Sequence, residues 1–196
     1  MANTNAPFGF RQYKGLGYAP TYEQVAVPIA YDASAIFFGD HVFPTAAGGV
    51  AIASPGVAAI AGVFVGCKYL SVSQKRTVWS NYWPGSDVAS TQVVEGYIVN
   101  DPNSRFVAQV GGSSTTGLTA AAVNANVQFN YGTGNTANGI SGAFVVFDSP
   151  AVTATRPFRV VGLVEDPPGS PGTEAGAYNW VVVAFNNINT RSTTGV

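Results

Sequence analysis

The chain carries a single cysteine, a single histidine and a single methionine. Cys67 therefore has no partner for a disulfide within the chain, and it reads as a free, buried thiol. One histidine and one cysteine cannot supply a zinc site or a nucleophile–base pair without taking almost everything from carboxylates. His41 reads as structural or solvent-facing, because its neighbour Asp40 would point to the opposite face of a strand. Charge is scarce as well, at 10% of residues against about 25% in an ordinary soluble domain. Lys and Arg number 9 and Asp and Glu number 10, so no basic excess exists to neutralise nucleic-acid phosphates. Long apolar runs are absent too. Residues 57–66 form the most apolar stretch, well short of the roughly 20 residues that span a bilayer. The opening MANTNAPFGF has neither a basic region nor an apolar core, so no secretory leader is expected, and cytosolic synthesis without a membrane role follows.

What the chain does have is 23 Gly, 12 Pro, 12 Phe and 9 Tyr among 196 residues, with 46% hydrophobic residues. That aromatic supply excludes a disordered chain. At this length folding buries about 70% of the unfolded surface. Short β-like runs recur between Gly, Pro and Asn punctuation. They lie at residues 22–30, 36–38, 41–43, 50–53, 60–71, 76–82, 93–100, 105–110, 144–147, 158–165 and 180–186. The pattern predicts an all-β protein: an antiparallel sandwich or jelly roll, or a barrel with long loops. Pro28 marks a strand end or edge, and Gly62 and Gly66 mark bulges or close backbone approach. Asp101-Pro102-Asn103 predicts a hairpin joining its flanking strands. Residues 111–118 and 132–143 read as Gly-rich loop and turn. Thr119–Val127 is the one predicted helix, with Thr119 as its cap.

Residues 1–20 lack any period and predict an extended arm with aromatic anchors at Phe8, Phe10, Tyr13 and Tyr18, followed by one β domain over 21–196. The arm either reaches onto neighbouring molecules or lies across its own core. Trp79, Tyr82 and Trp83 offer two readings. They form an exposed aromatic cluster for a sugar or a protein partner, or Trp79 is core while Tyr82 and Trp83 close a sheet corner. Lys68, Lys75 and Arg76 mark the wet face of a hairpin. Glu165 and Asp166 could serve a glycosidase only across a gap of about 5–9.5 Å, and no cleft signal accompanies them. No dinucleotide fingerprint, nucleophile elbow, metal set or cofactor motif is present. A net charge of −1 with many Ala, Val, Thr, Ser and Gly residues predicts a surface covered by assembly, a weakly charged monomer being the alternative.

Six segments, MANTNAPFGFRQY, IFFGDHV (36–42), GVFVGCKYLSVSQKRTVWSNYWPG (62–85), YIVNDPNSRFVAQV (97–110), PFRVVGLVEDPPG (157–169) and VVVAFNNIN (181–189), occur in an order that resembles tailed-bacteriophage capsid decoration, or cement, proteins. The resemblance implies a non-enzymatic virion protein on the capsid exterior. It implies binding to the major capsid protein at capsomer junctions and self-association, with a homotrimer favoured over a dimer. It supplies no functional residues. The residues expected to touch partners are Phe8, Phe10, Arg11 and Tyr13 on the arm, with Tyr82 and Trp83. Removing residues 1–13 is then expected to weaken capsid attachment and leave the fold intact. A carbohydrate-binding β module and another neck, tail or fibre component remain the alternatives.

Overall fold

The computed structural model describes residues 3–14, 23–112, 116–165 and 167–191. Gly15, Gly17, Tyr18 and Pro20 of the expected arm, Tyr22, and Asp166 of the acidic pair lie outside them. Thirteen strands follow in chain order: β1 (Arg11–Lys14), β2 (Val25–Ile29), β3 (His41–Pro44), β4 (Val50–Ile52), β5 (Gly62–Ser71), β6 (Arg76–Ser80), β7 (Val94–Val99), β8 (Arg105–Gly111), β9 (Asn126–Val127), β10 (Phe129–Asn135), β11 (Ile140–Val146), β12 (Phe158–Leu163) and β13 (Trp180–Phe185). Among the described residues helix is limited to two three-residue 3-10 turns, at Ala120–Ala122 and Asn189–Arg191. No helix among the described residues is long and apolar enough to cross a membrane.

The all-β expectation holds, and it takes the barrel form. β3, β4, β2, β7 and β5 pair in sequence, and β5 returns to β3, so the ring is closed; β6 hangs on the outside of β5. The other ring runs β10, β11, β8, β13, β12, β9. It closes through the chain itself, since only Gln128 separates β9 from β10. Closure removes most of the free edges that would otherwise invite aggregation. Pairing is antiparallel except where β2 meets β4 and β8 meets β11.

Each ring has its own buried cluster. One holds Phe106, Phe129, Phe158, Val160, Val181 and Val183; the other holds Ile29, Ile36, Val42, Phe64, Trp83 and Ile98. The two share a wall. Neighbours in a strand face opposite sides, so on β5 Val63 joins the first cluster and Phe64 the second, and on β7 Val99 and Ile98 divide the same way. We call the ring of β8–β13 the first barrel, the ring of β2–β7 the second, and the contact between them the seam.

Several expectations are corrected. The 97–110 segment is not a hairpin: β7 pairs with β2 and β5, while β8 pairs with β1, β11 and β13. Asp101 and Ser104 do make a tight turn, with Ser104 N–H donating to Asp101 C=O at 2.9 Å. Pro102 fixes a negative φ and Asn103 has no positive φ, which gives a type I-like turn. Such turns splay their flanking strands, and here they deliver the chain from one barrel to the other. The expected helix shrinks to the Ala120–Ala122 turn, in which Thr119 makes no side-chain cap. So short an alanine run cannot repay nucleation; Asn124 turns the chain at φ +70°, and Val127 is drawn into pairing with Phe158. Residues 132–143 are not a loop but most of the β10–β11 hairpin. There Gly132 lies opposite Gly142, and a Cβ on Gly142 would stand 2.7 Å from the backbone of Gly132 and Thr133. Gly142→Ala is therefore expected to cost about 1–3 kcal/mol of stability. Urea unfolding measures it, and a variant as stable as the parent contradicts this reading of the hairpin.

The bulge at Gly66 is as expected, with the β5–β7 register shifting between Phe64 and Gly66. Cys67 is buried and free; burial pushes its thiol up to about 12, so it is a poor nucleophile.

The arm crosses its own chain. Residues 3–10 run outside helix and strand, turning at Gly9 (φ +75°), and β1 then pairs with β8. Asn3 Nδ2 donates to the carbonyls of Glu174 and Ala177, and Gln109 Nε2 donates to Thr4 C=O at 2.8 Å. Phe10 is 1% exposed. It packs in the seam on His41 and Phe158, with ring centroids at 4.2 and 4.7 Å. Removing residues 1–13 would take a core side chain with it, so the expectation of an intact fold fails.

Candidate partner-binding surface

The surviving arm residues meet on the first barrel. Alternation along β1 sends Arg11 and Tyr13 outward; both are exposed, and Tyr13 is 54% exposed. Phe8 sits edge-on to Trp180, with centroids 4.7 Å apart, and the Arg11 guanidinium lies 5.0 Å over the Phe8 ring. Phe8, Arg11, Tyr13, Val107 and Trp180 line a shallow groove of about 460 Å³. The register extends this face. Arg11 lies opposite Val107, which lies opposite Val182. Arg105 and Arg159 both lie opposite Ala184. Small and β-branched residues thus form a flat strip flanked by arginines.

The arginines are held in different ways. Arg159 Nε donates to Asn126 Oδ1 and Nη2 to Asn186 Oδ1, each at 3.0 Å. Arg11 and Arg105 make no ion pair with a described carboxylate. Among the described residues their charge has no counter-ion. Arg, Tyr and Trp are the side chains that most often anchor protein interfaces, and a rigid sheet displays them here at little entropic cost. Among the described residues β1 pairs on one edge, with β8.

The other expected contact residues part company. Phe10 is buried in the seam, as described. Trp83 is 0% exposed: it plugs the second barrel, edge-on to Tyr69 at 5.2 Å. Its Nε1–H donates to Ala33 C=O at 3.1 Å, the partner that a buried indole needs. Its backbone exchanges hydrogen bonds with Ile36 at 2.9 and 2.8 Å. Burial removes Phe10 and Trp83 from any surface of the folded chain. Tyr82 is half-buried and stacks on Phe37. Trp79, placed in the core by one sequence reading, is 68% exposed, because its neighbour Val78 turns inward and takes the core position on β6.

Trp180, Arg105 and Arg159 were missed as members of the surface. Period-two alternation in FRVVGL and WVVVAF carries the signal: it sets Arg159 on one face of β12, and Trp180, Val182 and Ala184 on one face of β13. Among the described residues no group of His, Cys, Asp and Glu could hold a metal ion. Glu165 is exposed. Comparison with protein-family models, with curated proteins and with solved structures finds no match for this chain.

Proposed function

We propose that the chain is a non-enzymatic structural protein of a tailed-phage head, a decoration protein that binds the outer capsid surface at capsomer junctions. The observation that carries this reading is the Arg11–Tyr13 edge strand, backed by the Phe8–Trp180 groove and the outward Arg105. Closed barrels provide a rigid mount for such a surface. The order of sequence segments that resembles decoration proteins points the same way. Each copy ties adjacent capsid subunits by covering the seam between them. Because it binds the assembled lattice and not separated subunits, it stabilises the lattice by mass action. Sister copies related by a three-fold axis match a three-fold junction; a dimer at a two-fold contact is the other arrangement.

The test is reattachment to purified heads stripped of the protein. The double variant Arg11→Ala/Tyr13→Ala is expected to weaken binding by tenfold or more, about 1.4 kcal/mol or above, with an unchanged melting temperature. Co-sedimentation reads the occupancy. Equal occupancy by parent and variant removes this face from the reading, and no attachment by the parent removes the reading itself.

A further inference from the structure

The second barrel carries a different kind of surface. On its outer face Lys68 lies between Trp79 of β6 and Glu95 of β7. The next outward position on β5 is Gly66, opposite Tyr97. With no side chain there, the sheet dips to bare backbone. The result is an open notch of about 570 Å³ lined by Gln24, Gly66, Trp79, Ser80, Asn81 and Tyr97, among others. Glycine is needed at this point, since a Cβ would stand 2.9 Å from Ser80 C=O and φ is +150°.

Trp79 and Tyr97 flank the notch with rings parallel to within 3° and centroids 5.9 Å apart. A polar chain holds them in place. Tyr97 Oη–H donates to Glu95 Oε1 at 2.7 Å. Lys68 Nζ lies 2.9 Å from Glu95 Oε2 and 5.1 Å from the Trp79 ring centroid. An exposed tryptophan fixed this way presents a flat apolar face beside the Gln24 and Asn81 amides and the Tyr97 hydroxyl. The Gln24 amide makes no hydrogen bond among the described residues and is exposed.

We propose that this notch binds a neutral pyranose-containing glycan, with one sugar ring lying on Trp79. A pyranose has an apolar C–H face and a rim of hydroxyls that both donate and accept. The aromatic wall meets the first, and the Gln24 and Asn81 amides meet the second. Two other ligand classes fit less well. A nucleotide would need cations for its phosphates; the described lining of the notch holds none, and Lys68 beside it is already paired with Glu95. A protein partner would seal the Lys68–Glu95 pair away from water, and burying such a pair is costly. A hydrated sugar leaves it wet. The inference does not depend on the capsid reading, since it uses no residue of the arm surface.

A printed glycan array probed with the labelled full chain tests it, followed by NMR titration with the methyl glycoside of the best-bound sugar. Binding of a neutral glycan is expected. Trp79→Ala should weaken it about tenfold or more, Trp79→Phe should retain part of it, and Tyr13→Ala should leave it unchanged. Trp79 is mostly exposed, so the variant folds, and matching circular dichroism and melting curves verify that. Absence of any glycan above background overturns the proposal. So does a bound glycan that Trp79→Ala holds as tightly as the parent.

Discussion

Phe10→Ala is expected to destabilise the protein by about 3–5 kcal/mol, the usual range for truncating a buried phenylalanine. The side chain is buried against His41 and Phe158, and both of its ring neighbours belong to the seam. Removing it leaves a hole between two barrels that are each tied into closed rings, so neither wall is free to collapse inward. Total stabilities run to about 5–15 kcal/mol, so the loss is a large fraction of the whole. At this chain length it corresponds to a fall in melting temperature of roughly 6–20 °C. Calorimetry measures the shift, with Val152→Ala, 98% exposed, as the control, expected within about 0.5 kcal/mol of the parent. A Phe10→Ala variant that melts within a degree or two of the parent contradicts the placement of the arm in the core.

The second large effect is on pH. Asp40 and His41 are adjacent and both buried. Burial pushes the Asp40 carboxyl up from 3.8 to about 6, although the Ser141 hydroxyl and the Phe37 N–H both donate to it and pull the other way. Burial holds His41 well below 6.5, and neither ring nitrogen has a hydrogen-bond partner. Its ring lies among Phe10, Phe129, Phe158 and Tyr131. Tyr131, itself raised by burial and by Asp40, stays protonated throughout.

The two groups act with opposite signs. Below pH 6.5 the unfolded chain protonates His41 and the folded chain does not, so this group removes stability as pH falls. Between about 6 and 3.8 the folded chain protonates Asp40 and the unfolded chain does not, so that group adds stability as pH falls. Each slope approaches about 1.4 kcal/mol per pH unit. Over the shared window they cancel: the folded protein takes on Asp40 the proton that the unfolded chain takes on His41. Below 3.8 the cancellation ends and the His41 loss stands alone. Asp40→Asn keeps the acceptor for Phe37 and removes one side of the balance. Between pH 6.5 and 4.5 it should lose about 2 kcal/mol more than the parent loses over the same span. Urea unfolding at pH 7, 5.5 and 4.5 measures both proteins. Parallel pH profiles for parent and variant would show that the exchange does not occur.

Legibility in the sequence followed local physics. The strands were readable because their signals are local: β-branched and aromatic runs between turn residues, a register break at Gly66, an inert thiol at Cys67. Pairing was not readable, because it is decided at a distance. Asp101-Pro102-Asn103 looked like a hairpin loop and is a crossing, since nothing in the turn says that β8 finds a better partner in β13. Gly132, Gly134 and Gly142 looked like loop because glycine is usually punctuation; here it makes room, Gly134 for the Phe37 ring and Gly142 for a facing backbone. Two tryptophans four residues apart exchanged the roles that one sequence reading gave them. Trp79 and Trp83 carry no local mark of which one the barrel encloses. In the candidate surface, Arg11 and Tyr13 were legible as exposed arm residues. The groove was not, because Trp180 reaches it from the far end of the chain.

The shared wall also sets an order in time. The second barrel is built from one continuous stretch, from Val25 to Val99, so all its strands can pair as soon as that stretch exists. The first barrel draws on both ends of the chain, with β1 lying on β8 and β13 completing the ring. Such distant contacts form slowly. During synthesis β5 and β7 therefore stand paired with Val63 and Val99 incompletely covered until the strands of the first barrel arrive, the last of them, β13, some eighty positions after Val99. The exposed side of that wall is the surface that a growing chain has to keep from its neighbours.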